Sequence, residues 1–427
     1  MDRTYRQLLC LLSAAMDTRK DDVLDMQAAD WNKLFFLSQN HNIIPMIYES
    51  AQKTEDFSLA NPELSHVWRK QAINISLNQM YRTMEFLKVY DKLNQAGIQA
   101  LVVKGIICRE LYPNHDYRSS GDEDVYIRKI DFKQVDSIFR TFGLVRDKSK
   151  KRESPPEQVT TYRSSKYGLI IELHVDLFSP ESELFGPLNK FFGDVFEDSI
   201  TINVEEITVH TLSHDMHLLF LILHSIKHFM SIGFGIRQVC DLVMYSNAYG
   251  QEIDWSSLWS RITELGYEVF LLNLFDIGTR YLGLDQRRIR YPEGYLSSDI
   301  HSEALLVDII QAGIFGKSEL GRVKTSSMTL HAVSEDRKPR GAHAKKYSNL
   351  RAFFPGLKFM GSHYAYCRKY PMLLPIAWLH RFIVYAAEEK NLSIMISKAG
   401  SSFAIGRKRI ELLKEYRLIG RMEEVSE

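Results

Sequence analysis

The sequence predicts an α+β protein in which a small mixed β-sheet is embedded between N-terminal and C-terminal helical regions. Three observations predict it. From Ala100 to Ile127 the chain runs through an apolar stretch, a Lys-Gly turn, a short helical pattern, an acidic triplet and a second apolar stretch. From Leu169 to Val175 apolar and polar residues alternate, as in a half-buried strand. Before residue 98, and again from His210 onward, apolar residues recur at helical spacing.

Taken in order, residues 1–97 read as a helical region. Leu8, Leu11, Leu12 and Ala15 fall on one helix face, so LLCLLSAAM reads as a first amphipathic helix rather than a signal peptide. Met80, Met84, Leu87 and Tyr90 form a stripe read as core packing, and Gly97 is placed to end that helix. Residues 98–203 carry the αβ core. Leu101, Val102 and Val103 make a buried strand, and Ile106 to Tyr112 a short helix stopped by Pro113. Asp131 is placed to cap a helix that buries Phe132, Val135, Ile138 and Phe139 and ends near Gly143. Arg146 to Arg152 is a charged loop, either a solvated hairpin tip or a guide for a phosphate-bearing acceptor, and Val159 to Arg163 is the next strand. Residues 204–322 form a helical domain, with Leu218, Ile222 and Ile226 on one face and Trp255, Leu258, Trp259 and Ile262 on another. Residues 323–347, low in apolar side chains and holding Arg337, Lys338, Arg340, Lys345 and Lys346, read as a mobile basic loop. Residues 348–427 are a C-terminal helical region, in which Lys369 to Ala387 is expected to dock on the protein rather than lie on a membrane surface. Arg407 to Tyr416 reads as a solvated amphipathic helix.

The chemistry concentrates at two places. A chain that leaves a strand through glycine into a helix N-terminus presents backbone N–H groups and a positive dipole end, which suits phosphate. Lys104 and Gly105 stand there. Alternate strand residues share a face, so Asp122 and Asp124 point one way and Glu123 the other. Two carboxylates beside a phosphate cradle are what a magnesium–nucleotide site requires. On the later strand Glu172 lies mid-face between Ile170, His174 and Asp176, opposite Leu169, Ile171, Leu173 and Val175. If the two strands pair, Asp122, Asp124 and Glu172 converge on one point, enough for two divalent cations.

The order Lys104-Gly105, Leu111-Tyr112-Pro113, Arg118-x-x-Gly121-Asp122-x-Asp124 and Glu172-x-His174 resembles the uncharacterised nucleotidyltransferase family of the DNA polymerase β-like superfamily. His224, Lys227-His228, Gly235-Ile236-Arg237-Gln238, Asp241, Ile314-Phe315-Gly316, Tyr370-Pro371 and Leu374-Pro375 extend the resemblance to roughly Leu93–Arg381. Two departures stand out. The superfamily usually has Gly-Gly or Gly-Ser where this chain has Lys104-Gly105, a difference the resembled family shares, and an apolar residue where it has Glu123. The resemblance implies a polymerase β-like core that moves a nucleoside monophosphate from a nucleoside triphosphate to an acceptor. It implies Asp122, Asp124 and Glu172 as the catalytic ligands of two Mg²⁺ ions, or of Mn²⁺. It implies Lys104, Gly105, Arg118, Gly121, His174, His228 and Arg237 as nucleotide contacts, with Asp241 in support. His224 and His228 stand at the i, i+4 spacing of two zinc ligands, yet no third ligand accompanies them, so capping, core hydrogen bonding or nucleotide contact is the preferred role.

Composition sets outer limits. A formal net charge of +1 gives no general basic field, so general nucleic-acid binding is not expected and the acceptor is read as a small molecule or a protein. Cys10, Cys108, Cys240 and Cys367 show no disulfide or metal spacing and read as reduced thiols, which with the lack of any run of roughly 20 apolar residues points to a cytoplasmic protein. Two rivals remain: a silent, antitoxin-like binding protein on the same fold, and a helical scaffold. The scaffold leaves the three carboxylates unexplained.

Overall fold

The structure, a computed structural model of the 427-residue chain, describes residues 1–18, 26, 29–147, 159–231, 233–292, 294–295, 299–313, 329–330, 364, 366–380 and 392–419. The chain divides into two compact units, Met1–Ser225 with Gly235–Ile310, and Ile226–Phe234 with Gln311–Glu427.

The first unit opens with helices. In α1 (Arg3–Ala15) the Asp2 carboxylate accepts the Thr4 N–H at 2.7 Å, and Leu8, Leu11 and Leu12 are buried, the amphipathic helix expected there. Helices α2 (Trp31–His41) and α3 (Ile44–Ala51) follow, then α4 (Pro62–Gln95). At 34 residues α4 is about 50 Å long. Its first half anchors Trp68 among Phe35, Tyr48 and Phe57, and its second half lays Phe86, Leu87, Tyr90 and Leu93 on the sheet. The stripe expected to be wholly core is split: Leu87 and Tyr90 are buried, whereas Met84 is 48% exposed. The reason is that α4 packs on the sheet over one narrow face, and Met84 stands off it. Gly97 follows the helix end at a φ of 70°.

Seven strands form one mixed sheet in the order β3-β4-β5-β2-β1-β7-β6. They are β1 (Leu101–Val103), β2 (Glu123–Tyr126), β3 (Val145–Arg146), β4 (Val159–Arg163), β5 (Ile170–His174), β6 (Ile200–Val204) and β7 (Ile207–Thr211). Between β1 and β2 lies α5 (Gly105–Arg109), and between β2 and β3 lies α6 (Phe132–Thr141). Strand β2 runs antiparallel to β1 and parallel to β5, which sets Asp124 opposite Val103 on one side and Glu172 on the other. One sheet face carries Val102, Val125, Ile171, Leu173 and Val209 against α4 and against Val135 and Phe139 of α6. Its opposite face carries Asp124 and Glu172.

Three expectations change here. The sheet continues past residue 203, where the sequence predicts the end of the αβ core, and past His210, where it predicts helix. Glu205, at a φ of 51°, turns β6 into β7, and β7 lies parallel to β1. Tyr90 ties the two together, donating to Ala100 O at 2.5 Å and accepting the His210 N–H at 2.9 Å. Asp131 does precede α6, but its side chain makes no capping bond. Arg146 belongs to β3 rather than a loop, and its guanidinium meets Asp136 at 2.7 Å beside the Tyr162 hydroxyl. Residues 148–152 of that charged stretch lie outside the described residues.

Helices α7 (His214–Ser231), α8 (Ile236–Tyr249), α9 (Trp255–Leu265), α10 (Glu268–Tyr281) and α11 (Glu303–Ala312) follow. The expected α9 face, Trp255, Leu258, Trp259 and Ile262, is buried. In the second unit, Arg409 of α12 (Leu392–Glu415) is buried and donates to Phe229 O and, at 2.9 Å, to Ser231 O. Met372, Ile376 and Leu379 of the Lys369–Ala387 segment are exposed, and residues 381–387 lie outside the described residues. Cys367 and Ala377 are the buried residues there, packed with Tyr364, Leu373 and Trp378. The basic segment 323–347, apart from Thr329 and Leu330, and Ile314-Phe315-Gly316 lie outside the described residues. Among the described residues no helix is long and apolar enough to cross a membrane, and all four cysteines are free.

Candidate active site

The site begins where β1 ends. Lys104 sits at φ 57°, ψ −121°, a conformation L side chains rarely adopt and one that costs of order 1–3 kcal/mol. Glycine, usual here in the superfamily the chain resembles, adopts it without strain. In this chain the strain is held by partners: the Lys104 N–H donates to His217 Nε2 at 3.1 Å. His217 Nδ1 donates in turn to Thr211 Oγ1 at 3.2 Å, whose own hydroxyl donates to Val102 O at 2.7 Å. Burial, then the positive charge nearby, push the His217 imidazole down to about 3, so it stays neutral and able to accept. The sequence alone does not mark His217 as part of the site. The signal that could have found it is that a lysine in a glycine's conformation needs a nearby acceptor.

Gly105 follows at a φ of 31°, and a Cβ there would stand 2.0 Å from Glu123 Oε2. Glu123 does point away from its two neighbours, as strand alternation requires. It accepts the Ile106 N–H at 2.9 Å and pairs with Arg109 at 2.6 Å, both ionic partners being almost fully buried. The residue expected to be apolar is therefore a buried anion that fixes the start of α5.

On the other face, Asp124 and Glu172 stand side by side in the β2–β5 register, and His174 lies diagonally across. The ligand atoms of Asp124, Glu172 and His174 all lie within 4.8 Å of one another, the one such group of three among the described residues. His174 Nε2 donates to Asp124 Oδ1 at 3.0 Å and lies 4.0 Å from Glu172 Oε2. His174 Nδ1 is buried with no hydrogen-bond partner among the described residues. Lys104 Nζ meets Asp124 Oδ2 at 2.8 Å and donates to His224 Nε2 at 3.1 Å. Burial alone would raise the Asp124 carboxyl, but Lys104 and then His174 outweigh it and hold it well below the usual carboxylate range. The Lys104 ammonium shifts the opposite way, upward: its burial is outweighed by Asp124, Asp122 and Glu172.

The remaining predicted residues fall in different places. Asp122 precedes β2, outside the group of three. Gly121 is exposed in the bend before it, with open space for 4 Å around the place a Cβ would take and no left-handed backbone to require glycine. Arg118, expected to meet phosphate through its fork, has that fork committed: Nε and Nη2 donate to the two Asp241 oxygens at 3.0 and 2.5 Å. Asp241 also accepts from the Tyr112 hydroxyl at 2.8 Å, so it holds the loop before β2 against α8. Arg237 donates to Ser119 O, and its Nε is buried without a hydrogen-bond partner among the described residues. Burial and the neighbouring Arg118 charge push its guanidinium down to about 10. His228 belongs to the second unit, where its carbonyl accepts the Gly233 N–H at 2.8 Å. Neither it nor His224 joins a group of three metal-ligating residues among the described residues.

Asp122 gives a pH-dependent expectation. Burial first, then the Asp124 charge, raise its carboxyl from 3.8 to about 6. A carboxyl raised on folding stabilises the fold fully below its unfolded pKa, and that contribution is lost as pH rises through its folded pKa. In metal-free protein at about pH 8, Asp122→Asn is expected to raise stability by roughly 1–3 kcal/mol, with a smaller gain at about pH 5. Calorimetry in chelator at both pH values checks this, and a variant less stable than the parent at the higher pH would sink it.

Comparison with known families agrees with this geometry. The sequence model of the family described as uncharacterised nucleotidyltransferase matches residues 27–283, more than half of the chain. The match begins ahead of Leu93, taking in α2 to α4, and ends before Ile314 and Tyr370, so those downstream resemblances lie outside it. No curated protein and no solved structure matches. With the Lys-Gly turn, the Asp-x-Asp strand, the paired Glu-x-His strand and Asp241 all inside the matched region, the chain belongs to the uncharacterised nucleotidyltransferase family.

Proposed function

We propose that the protein is a magnesium-dependent enzyme that transfers a nucleoside monophosphate from a nucleoside triphosphate to a hydroxyl or similar group on a small molecule or a protein. The observation that carries this reading is the parallel pairing of β2 with β5, which sets Asp124 opposite Glu172 beside the Lys104-Gly105 turn. The donor set fits a divalent cation: carboxylate oxygens suit Mg²⁺, and one imidazole extends the range to Mn²⁺. Asp122, Asp124 and Glu172 would hold it, with His174 beside them. A cation bound there supplies charge for the oxyanions that develop and lowers the pKa of the acceptor hydroxyl.

The chain's own residues do the rest. Lys104 and Arg237 bring positive charge to the triphosphate, and Gly105 keeps the backbone close to it. Arg118 acts at one remove, tying the loop before β2 to Asp241. The acceptor oxygen attacks the α-phosphorus, the α–β bridging bond breaks, and pyrophosphate leaves with its electron pair. Glu172 takes the acceptor's proton. Its side chain is 21% exposed against 6% for Asp124, so of the two it is the one an acceptor reaches.

Incubation with each labelled triphosphate and Mg²⁺ in cell extract is expected to label an acceptor smaller than a polynucleotide. In purified protein, the cognate triphosphate with Mg²⁺ at about 100 times its dissociation constant should add roughly 2.7 kcal/mol of stability, removed by chelator. A flat response to all four ribonucleotides would favour the silent binding protein. Tight tRNA or single-stranded DNA binding that falls steeply with salt would move the acceptor to nucleic acid. The pairing of Arg146 with Asp136 speaks against that, since it removes a member of one of the two basic clusters.

A further inference from the structure

Two ions about 3.5–4 Å apart require a carboxylate that offers an oxygen to each. The surroundings of Asp124 do not match that requirement. Its Oδ2 is met by the Lys104 ammonium at 2.8 Å and its Oδ1 by His174 Nε2 at 3.0 Å. Lys104 does not reach this place by chance. Its side chain is 17% exposed, its Nζ also meets His224 at 3.1 Å, and it lies 5.8 Å from the centre of the Phe220 ring. Its backbone occupies a conformation in which glycine is the undemanding choice, held there by His217. A strained backbone at a polar site is a feature retained for what it positions. What it positions here is a fixed positive charge on the central carboxylate.

We propose that the site takes one divalent cation rather than two, and that the Lys104 ammonium, held on Asp124, stands in for the second. The inference rests on the nucleotidyltransferase reading above and adds to it the number of metal ions and the role of the lysine. An ammonium carries three donors. Asp124 takes one and His224 another, which leaves, among the described residues, one N–H for a phosphate oxygen of the triphosphate. The one group of three ligand atoms among the described residues, from Asp124, Glu172 and His174, serves a single ion on the side of Asp124 away from the lysine. A lysine at the glycine position and a second metal ion are then alternatives: the fold has room on Asp124 for one or the other.

The test counts Mn²⁺ by electron paramagnetic resonance, with protein in excess over a non-hydrolysable α,β-methylene triphosphate. The parent protein is expected to hold one Mn²⁺ per bound nucleotide, without Mn–Mn dipolar broadening. Lys104→Gly, which suits the backbone and removes the ammonium, should double the count and bring in the broadening of a close pair. Lys104→Arg, which keeps a cation, should stay at one. Two coupled ions in the parent protein overturn the inference while leaving the nucleotidyltransferase reading intact, and this outcome does not depend on any variant folding. One ion in both the parent and a folded Lys104→Gly overturns the stand-in role. No ion beyond that bound by nucleotide alone overturns both readings.

Discussion

Asp124→Asn is expected to abolish nucleotidyl transfer while leaving the fold in place. The carboxylate is the shared member of the site: it faces Glu172 across the β2–β5 pair, carries the Lys104 ammonium on one oxygen and receives His174 on the other. Asparagine keeps the shape and one acceptor but loses the charge that holds a cation. Transition-state charge stabilisation by a bound metal is worth several kcal/mol, so kcat should fall by roughly 10³-fold or more. The buried lysine is not left alone in the variant, because Asp122 and Glu172 also favour its charged form. Circular dichroism should therefore match the parent, whereas the Mg²⁺-dependent thermal shift with nucleotide should vanish. Near-normal turnover in a folded Asp124→Asn would show that the reaction centre lies elsewhere.

Much of this site is legible in the sequence because it is built from local patterns. The run Leu101–Val103, the alternation around Glu172 and the glycine after Lys104 each declare an element within a few residues. The face on which Asp124 lies follows from strand alternation alone, as does the opposite direction of Glu123. What local pattern leaves open is who meets whom over distance. Arg118 finds Asp241 across 123 positions, and the Lys104 N–H finds His217 across 113. No periodicity records such a pairing, so Arg118 looks like a phosphate ligand when its fork serves α8 instead. β7 shows the alternation of a half-buried strand over Ile207, Thr208, Val209 and His210, but the run is too short to be told from the helical pattern that follows, and its identity as a strand depends on the β1 edge it covers. Met84 shows the converse: its helical spacing is correct, but spacing cannot say how wide a face α4 buries.

The residue between the two aspartates gives the sharpest structural expectation. The superfamily that the chain resembles usually carries an apolar side chain there, so Glu123→Leu looks conservative by resemblance and is predicted to be severe by geometry. Arg109 is 1% exposed, and Glu123 is its partner carboxylate at 2.6 Å. Ser120 Oγ at 2.6 Å and Thr83 Oγ1 at 3.2 Å also accept from the guanidinium, but neither carries charge. Removing one partner of a buried ion pair leaves the other's charge uncompensated, at a cost of about 3–5 kcal/mol. The Ile106 N–H at the start of α5 loses its acceptor as well. Replacing both members by apolar residues of similar volume is often close to neutral. The double variant Glu123→Leu with Arg109→Met should therefore recover most of the loss, short of the about 1–3 kcal/mol for the orphaned N–H. Urea unfolding of the parent, both single variants and the double variant measures the coupling. Equal stability of Glu123→Leu and the parent, or additive losses in the double variant, would show that this pair does not hold α5. Gly105 makes the same point from the other side, since the carboxylate of Glu123 occupies the space a Cβ would need. The glycine, the buried anion and the arginine are thus one device, and it fixes the helix start from which Lys104 reaches Asp124.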